Sequence, residues 1–329
     1  MEPDHTPENG MLQHEIVEEE LRSLLSGITI ERELREHIEK RLERVGMYFR
    51  IFARVKAAGS LCAKLIRKEE KYKKNDEKLQ DLIGIRVVLY YADDVPICQK
   101  MIGSLFHVRE EDCSIDTPGI DEFKPVRLNL ICDIPDGAEG YIKRMPKELW
   151  QNYRIDKTFE VQIRTIFSEG WHEVNHDIRY KHEKEWESPA YYEYNRKLNG
   201  INATLEVCDN TIISVLDSLA YQCYKECKLS ETFRYRLRIH MQNEDLRPEL
   251  RQLFETDKEL WKKVYRLERA ELLYALSDTA FASIPRTLNH IIYIGNALQI
   301  GDERIDEMTP SLIKRCVAEW QEQQDYEII

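Results

Sequence analysis

The sequence predicts an α/β (α+β) protein: a mixed sheet flanked by helices over the first two thirds, then an all-helical C-terminal region. Three observations carry this expectation. Short β-branched and apolar runs at 84–93, 126–135 and 158–166 alternate with helical spacing, as in a sheet with helical cover. From residue 191 onward strand signals stop and helical spacing takes over. A chain of 329 residues, 42% hydrophobic and 33% charged, is long enough to bury one large core or two smaller ones.

Taken in order, residues 12–26 and 30–57 have helical apolar spacing (Leu21, Leu24, Leu25; Leu42, Val45, Tyr48, Phe49, Phe52), with Gly59 ending the second helix. "GIRVVLYYAD" (84–93) fits a buried strand that leads into a helix from Asp94 to Phe106. "VRLNLICDIP" (126–135) and "TFEVQIRTI" (158–166) are the second and third strands. Helices follow near 191–226, 229–241, 247–256, 258–276, 284–298 and 309–325, with breaks at Pro248, "SIPRT" and "IGDER". The chain therefore divides into an α/β unit with N-terminal helices, 1–225, and a helical accessory or regulatory region, 226–329.

A formal net charge of -12 and a pI of about 5.4 argue against nonspecific binding to nucleic acid or membrane surfaces, so any phosphate site must be a local basic cluster. The N-terminus lacks a basic segment followed by an apolar one, and no apolar run approaches about 18 residues, so neither a signal peptide nor a membrane span is expected. The eight cysteines form no CxxC pair and read as reduced, buried thiols of a cytoplasmic protein.

"HEVNHDIRYKH" (172–182) is one residue from a metzincin zinc signature. His172 and His176 share a helix face, and Glu173 stands where the general base would be. The third ligand fails. Where the signature has glycine, which lets the chain turn, this sequence has Arg179, and an unbroken helix points His182 about 240° away from the zinc face. The plain alternative is an amphipathic helix packed through Trp171, Val174 and Ile178.

The preceding strand favours other chemistry. Phe159, Val161, Ile163 and Thr165 alternate on one face, and Glu160, Gln162 and Arg164 on the other. A polar face is often just solvated, but this strand runs straight into the histidine helix, so the two can converge on one cleft. In "ARVKAAGSLCAKLIRKEEKYKK" (53–74), Arg54, Lys56, Ser60 and Lys64 supply cations and a hydroxyl suited to a polyphosphate. "LQDLIGIRVVLYYADD" places Asp81 before a strand and Arg86 within it, and Asp81 with Glu160 would supply the two carboxylates that a Mg²⁺-dependent phosphoryl transfer needs.

These blocks, in this order, resemble the RelA/SpoT-type synthetases over about residues 40–185. "RVKAAGSLCAKLIRK" is similar to the family's R-x-K-x-x-x-S-x-x-x-K block, "DLIGIRVVLYYADD" to its D-x-x-G-x-R strand, and "FEVQIRTIFSEGWHEVNHDIRYK" to its E-x-Q-I-R-T strand and following helix. The resemblance implies a nucleotidyltransferase-like fold and transfer of pyrophosphate from ATP to the 3'-hydroxyl of GDP or GTP, giving (p)ppGpp. It implies that Arg54 and Arg86 sandwich adenine and that Lys56, Ser60 and Lys64 hold the ATP phosphates. It also implies that Asp81 and Glu160 bind Mg²⁺, that Glu160 orients or deprotonates the attacking hydroxyl, and that Gln162, Arg164 and His176 line the same site.

The acceptor side departs from the family pattern. Where relatives carry G-Y-[RQ]-S-x-H, "KPVRLNL" puts Val126 at the tyrosine and Leu130 at the histidine, leaving Lys124 and Arg127 as the basic positions. Loss of an aromatic stack removes about 1–3 kcal/mol of base binding. Glu169 and His172 open the histidine helix, and a carboxylate at Glu169 can accept from guanine N1 and N2. The alternatives are a toxin-like relative that modifies adenosine nucleotides or the tRNA 3' CCA end, with Lys143, Arg144 and Lys147 as its basic surface, and a non-catalytic nucleotide sensor. About 50 residues precede the first block, too few for the family's hydrolase domain, so a synthetase without hydrolase is expected. The C-terminal helices are expected to regulate activity or to mediate homo-oligomerisation.

Overall fold

The computed structural model describes residues 7–68, 77–116, 127–136, 140–179 and 183–327. A five-stranded sheet lies at its centre, formed by β1 (Phe49–Val55), β2 (Ile83–Leu89), β3 (Ser114–Asp116), β4 (Arg127–Asp133) and β5 (Thr158–Thr165). Its spatial order is β1-β2-β5-β4-β3, with β2 and β5 parallel and every other pair antiparallel. The sheet is mixed, as the sequence predicts.

Helices α1 (Pro7–Leu25), α2 (Ile30–Val45), α3 (Ala58–Arg67), α4 (Val95–Leu105), α5 (Glu148–Asn152) and α6 (Ile166–Ile178) belong to this unit. A short α7 (Glu183–Trp186) leads into α8 (Tyr192–Lys225), a helix of 34 residues. The rest is helical: α9 (Leu229–Leu237), α10 (Pro248–Thr256), α11 (Lys258–Tyr265), α12 (Arg269–Leu276), α13 (Leu288–Gly295), α14 (Glu303–Met308) and α15 (Ser311–Glu327).

The expectation of one helix over 30–57 is corrected. Helix α2 stops at Val45, and Gly46 (φ 82°) caps it in the left-handed conformation. Residues 49–55 then pair with β2 as an edge strand whose exposure alternates residue by residue. Gly46 is held from both sides: its carbonyl accepts from the His240 amide at 2.7 Å, and an added Cβ would sit 2.6 Å from the His240 carbonyl oxygen and 2.8 Å from Arg286 Nε. A side chain fits neither the φ nor the space.

One hydrophobic cluster runs from Leu21 through the sheet to Val317, so the C-terminal helices share the core of the α/β unit. A buried ion cluster joins them to the turn after β2. Asp94 is fully buried and accepts from Arg269 Nη2 at 2.6 Å. Arg269 Nη1 also reaches Asp93 at 3.4 Å, and its Nε donates to the Leu237 carbonyl at 2.8 Å. Arg238 binds Asp93 with one terminal nitrogen and Asp217 at 2.9 Å with the other. Burial pushes the Asp94 carboxyl upward, against the pull of Arg269.

Two smaller expectations also change. Trp171 is buried, but Val174 and Ile178 are 47% and 48% exposed, so the histidine helix does not pack through them. No cysteine is in a disulfide; Cys62, Cys98, Cys132 and Cys316 are buried, while Cys227 is exposed.

Candidate active site

One face of the sheet is polar because register and pleat put alternate residues of three strands side by side. Arg54 of β1 lies opposite Gly84 of β2, and Gly84 opposite Glu160 of β5. One step along, Phe52, Arg86 and Gln162 form the next row, continued by Asn129 of β4. Above these rows lies a cavity of about 270 Å³, lined among others by Phe52, Arg54, Lys56, Asp81, Gly84, Arg86, Glu160, Gln162 and Glu173. The opposite face carries Phe159, Val161 and Ile163, all fully buried.

Asp81 sits at the mouth of β2 between two ammonium groups. Its Oδ2 accepts from Lys56 Nζ at 2.7 Å and from Lys64 Nζ at 2.5 Å. Burial pushes the carboxyl up, but the two lysines outweigh it and hold it below the usual carboxylate range. Burial likewise pulls Lys56 below its ordinary value, although Asp81 opposes this. The second oxygen, Oδ1, is buried without a hydrogen-bond partner among the described residues. Ser60 is exposed in the first turn of α3, whose N-cap Ala57 offers no side-chain cap.

Glu160 is oriented by its own strand. Gln162 donates to Glu160 Oε2 at 2.8 Å, and the Gln162 amide oxygen accepts from Arg86 Nε at 3.2 Å and from Arg164 Nη2 at 3.3 Å. Two guanidinium groups thus fix the amide, which fixes the carboxylate. Arg86 is tied in turn to α6: its Nη1 donates to Glu169 at 2.5 Å and also to Glu173. These carboxylates raise the Arg86 pKa against the effect of burial, and the Arg86 hydrogen bond lowers that of Glu173. Arg164, 3% exposed, stands 3.7 Å from the other oxygen of Glu169.

Helix α6 begins where Thr165 caps it, accepting from the Ser168 amide at 3.1 Å. The same hydroxyl donates to Asp209 of α8 at 2.7 Å, and burial pushes the Asp209 carboxyl up. His172 and His176 pack ring to ring at 5.8 Å, and His176, 42% exposed, stands 3.4 Å from Asp177. Neither lines the cavity. No group of three or more His, Cys, Asp or Glu able to hold a metal occurs among the described residues, and His182 lies outside them. The histidine helix meets the sheet cleft through Glu169 and Glu173, which both accept from Arg86.

The structure thus brings Arg54, Lys56, Lys64, Asp81, Arg86, Glu160, Gln162, Arg164 and Glu169 together around one cavity or one bond from it. On the acceptor side, Lys124 and Val126 lie outside the described residues, as does the Arg127 side chain. Leu130 is 2% exposed with the core, so it does not face the cleft. The residue that does is Asn129, opposite Gln162, with its amide oxygen buried and without a partner among the described residues. Asn129 and Phe52 were missed by the sequence reading, though the apolar alternation around Asn129 in "RLNLI" gave its face. Arg144 makes an exposed bidentate pair with Glu33 at 2.6 and 3.0 Å.

Asp81, two residues before β2, and Glu160 of β5 line one cavity and fit Mg²⁺, which keeps several waters and is commonly bound through one or two carboxylates plus substrate phosphates. Asp81 Oδ1, buried and without a hydrogen-bond partner among the described residues, is the observation that fits them to a cation.

Cations and carboxylates gathered around a sheet cleft define the site of an α/β protein. Residues 53–185 match the RelA_SpoT family model, described as "Region found in RelA / SpoT proteins". Among solved structures, it is similar to the small alarmone synthetase 1 from Bacillus subtilis, at 18% identity over 64% of this chain and 96% of that one, TM-score 0.37. The same protein bound to its product pppGpp matches at 20% identity over 66% of this chain and 100% of that one, TM-score 0.37. A GTP pyrophosphokinase family protein from Streptococcus pneumoniae matches at 17% identity over 69% of this chain and 98% of that one, TM-score 0.36. The comparison with curated proteins finds no match. No described helix is long and apolar enough to cross a membrane.

Proposed function

We propose that this protein is a Mg²⁺-dependent pyrophosphokinase that transfers the β,γ-pyrophosphate of ATP to the 3'-hydroxyl of GDP or GTP, making (p)ppGpp. The observation that carries the reading is the meeting of Asp81 and Glu160 in one cavity with Arg54, Lys56 and Arg86, inside a RelA/SpoT region. Pure binding would not need the carboxylate pair. The acceptor oxygen attacks the β-phosphorus, the bond from that phosphorus to the α-phosphate oxygen breaks, AMP leaves, and Glu160 takes the hydroxyl proton.

Lys56, Lys64 and Ser60 bind the donor phosphates, while Arg54 and Arg86 hold the base. Gln162, braced by Arg86 and Arg164, keeps Glu160 aimed. Asp81 and Glu160 would hold Mg²⁺, which when bound neutralises phosphate charge. Glu169 and His172, on the first turns of α6, with Lys124 and Arg127 before and on β4, form the acceptor side. His176 stands one turn further along.

The test is incubation with γ-³²P-ATP, Mg²⁺ and, separately, GDP, GTP, ADP, AMP and bulk tRNA. Label passing to GDP or GTP, and lost in Glu160→Gln, supports the reading. Label passing only to adenosine nucleotides or tRNA would replace the acceptor and keep the chemistry. ATP binding without any transfer would leave a sensor.

A further inference from the structure

Phe52 was expected in a helix and instead stands on the cleft face of β1. It lies opposite Arg86, two residues from Arg54, and lines the cavity while remaining 55% exposed. A lone exposed apolar residue needs no explanation. Here, however, its neighbours on that face of β1 are Arg50 and Arg54, both exposed, so the strand presents one planar apolar ring between two guanidinium groups.

The space beside it is open. Gly84 lies opposite Arg54 on one side and Glu160 on the other, and a Cβ built on it meets nothing within 4 Å. Arg86 is engaged along its edge, by Gln162, Glu169 and Glu173, since all guanidinium N–H groups lie in its plane. Those bonds hold it in orientation, and 18% of the side chain remains exposed. A bare sheet floor, an aromatic wall and a pre-oriented guanidinium are the chemistry of a planar π ligand.

We propose that Phe52 is the stacking wall of the donor-base subsite, with Gly84 as its floor, and that this pair makes the donor a purine nucleotide instead of a bare polyphosphate. The inference rests on the donor reading given above. Arg54 and Arg86 then supply charge and orientation, and Phe52 supplies the apolar face that a guanidinium lacks.

The experiment measures binding of ATP and of inorganic tripolyphosphate, by calorimetry, to the wild type and to Phe52→Ala, Phe52→Trp and Gly84→Val. The expected result is an ATP affinity about tenfold weaker in Phe52→Ala, within the range for loss of one stacked base, and retained in Phe52→Trp. Gly84→Val weakens ATP by filling the floor. Tripolyphosphate binds all four proteins alike. ATP affinity unchanged in Phe52→Ala overturns the inference and leaves the donor reading standing. Equal weakening of both ligands also overturns it, because the ring would then support the strand and not the base. A wild type that binds tripolyphosphate but gains nothing from the base of ATP removes the base subsite altogether, and one that binds neither ligand removes the donor reading first.

Discussion

Two clusters of basic and acidic side chains flank β2, and they differ in what lies beside them. At its start, Lys56, Lys64 and Asp81 face a cavity, and Asp81 keeps one buried oxygen unpartnered among the described residues. Just past its end, Asp93 and Asp94 are gripped by Arg238 and Arg269, which are 4% and 6% exposed. The same residue types do opposite jobs. Charge beside an open cavity is available to a ligand, whereas charge closed away from water is committed to holding two parts of the chain together.

The sharpest way to break this contrast is Glu160→Gln. Transfer should fall about a thousandfold or more, the scale for losing a group that acts on developing charge, while the melting temperature stays nearly unchanged. A radiolabel assay paired with a thermal melt checks both, and a collapsed melt would show that the cleft is structural. The converse is Arg269→Ala. Leaving Asp94 buried and unpaired should destabilise by roughly 3–5 kcal/mol in a denaturant titration, with no direct effect on the donor phosphates. A loss below about 1 kcal/mol would mean that water enters the cluster and the contrast is false.

Smaller changes sharpen it. Glu173, 56% exposed, is one of the partners of Arg86, so Glu173→Gln should alter ATP affinity by no more than about threefold, the scale of an exposed pair. A loss near that of Arg86→Ala, both measured by calorimetry, would make Glu173 a main support of the site. Least of all, Asp209→Asn should raise the melting temperature slightly at pH 7. Burial raises the folded-state pKa of Asp209, so its charge weakens the fold above that pKa; on acidification stability is regained down to the unfolded value near 3.8. Melts between pH 4 and 7 should show a shallower rise on acidification in the variant, and an unchanged profile would put the burial effect aside.

The donor half was legible because its residues come in dense local patterns. "FEVQIRT" writes its two faces in strict alternation, and the parallel register with β2 does the rest. The first strand was misread for a physical reason. Leu42, Val45, Phe49 and Phe52 keep helical spacing across Gly46, so period alone continued the helix through a residue whose left-handed φ ends it. The misreading hid Phe52 in an imagined core. On β4, aligning Leu130 with a site residue ignored the pleat, which sends Leu130 to the core and Asn129 to the cleft. The ion cluster at Asp94 was not legible at all, because 175 residues separate Asp94 from Arg269 and no local pattern links them.

The turn at Gly46 has a consequence for biosynthesis. It is completed by the His240 amide and by Arg286, whose Nη1 donates to the Arg44 carbonyl 242 residues earlier. A chain leaving the ribosome carries this turn long before the segments that complete it are synthesised. The turn that sets the direction of the edge strand is therefore completed only after residues 240 and 286 have been synthesised.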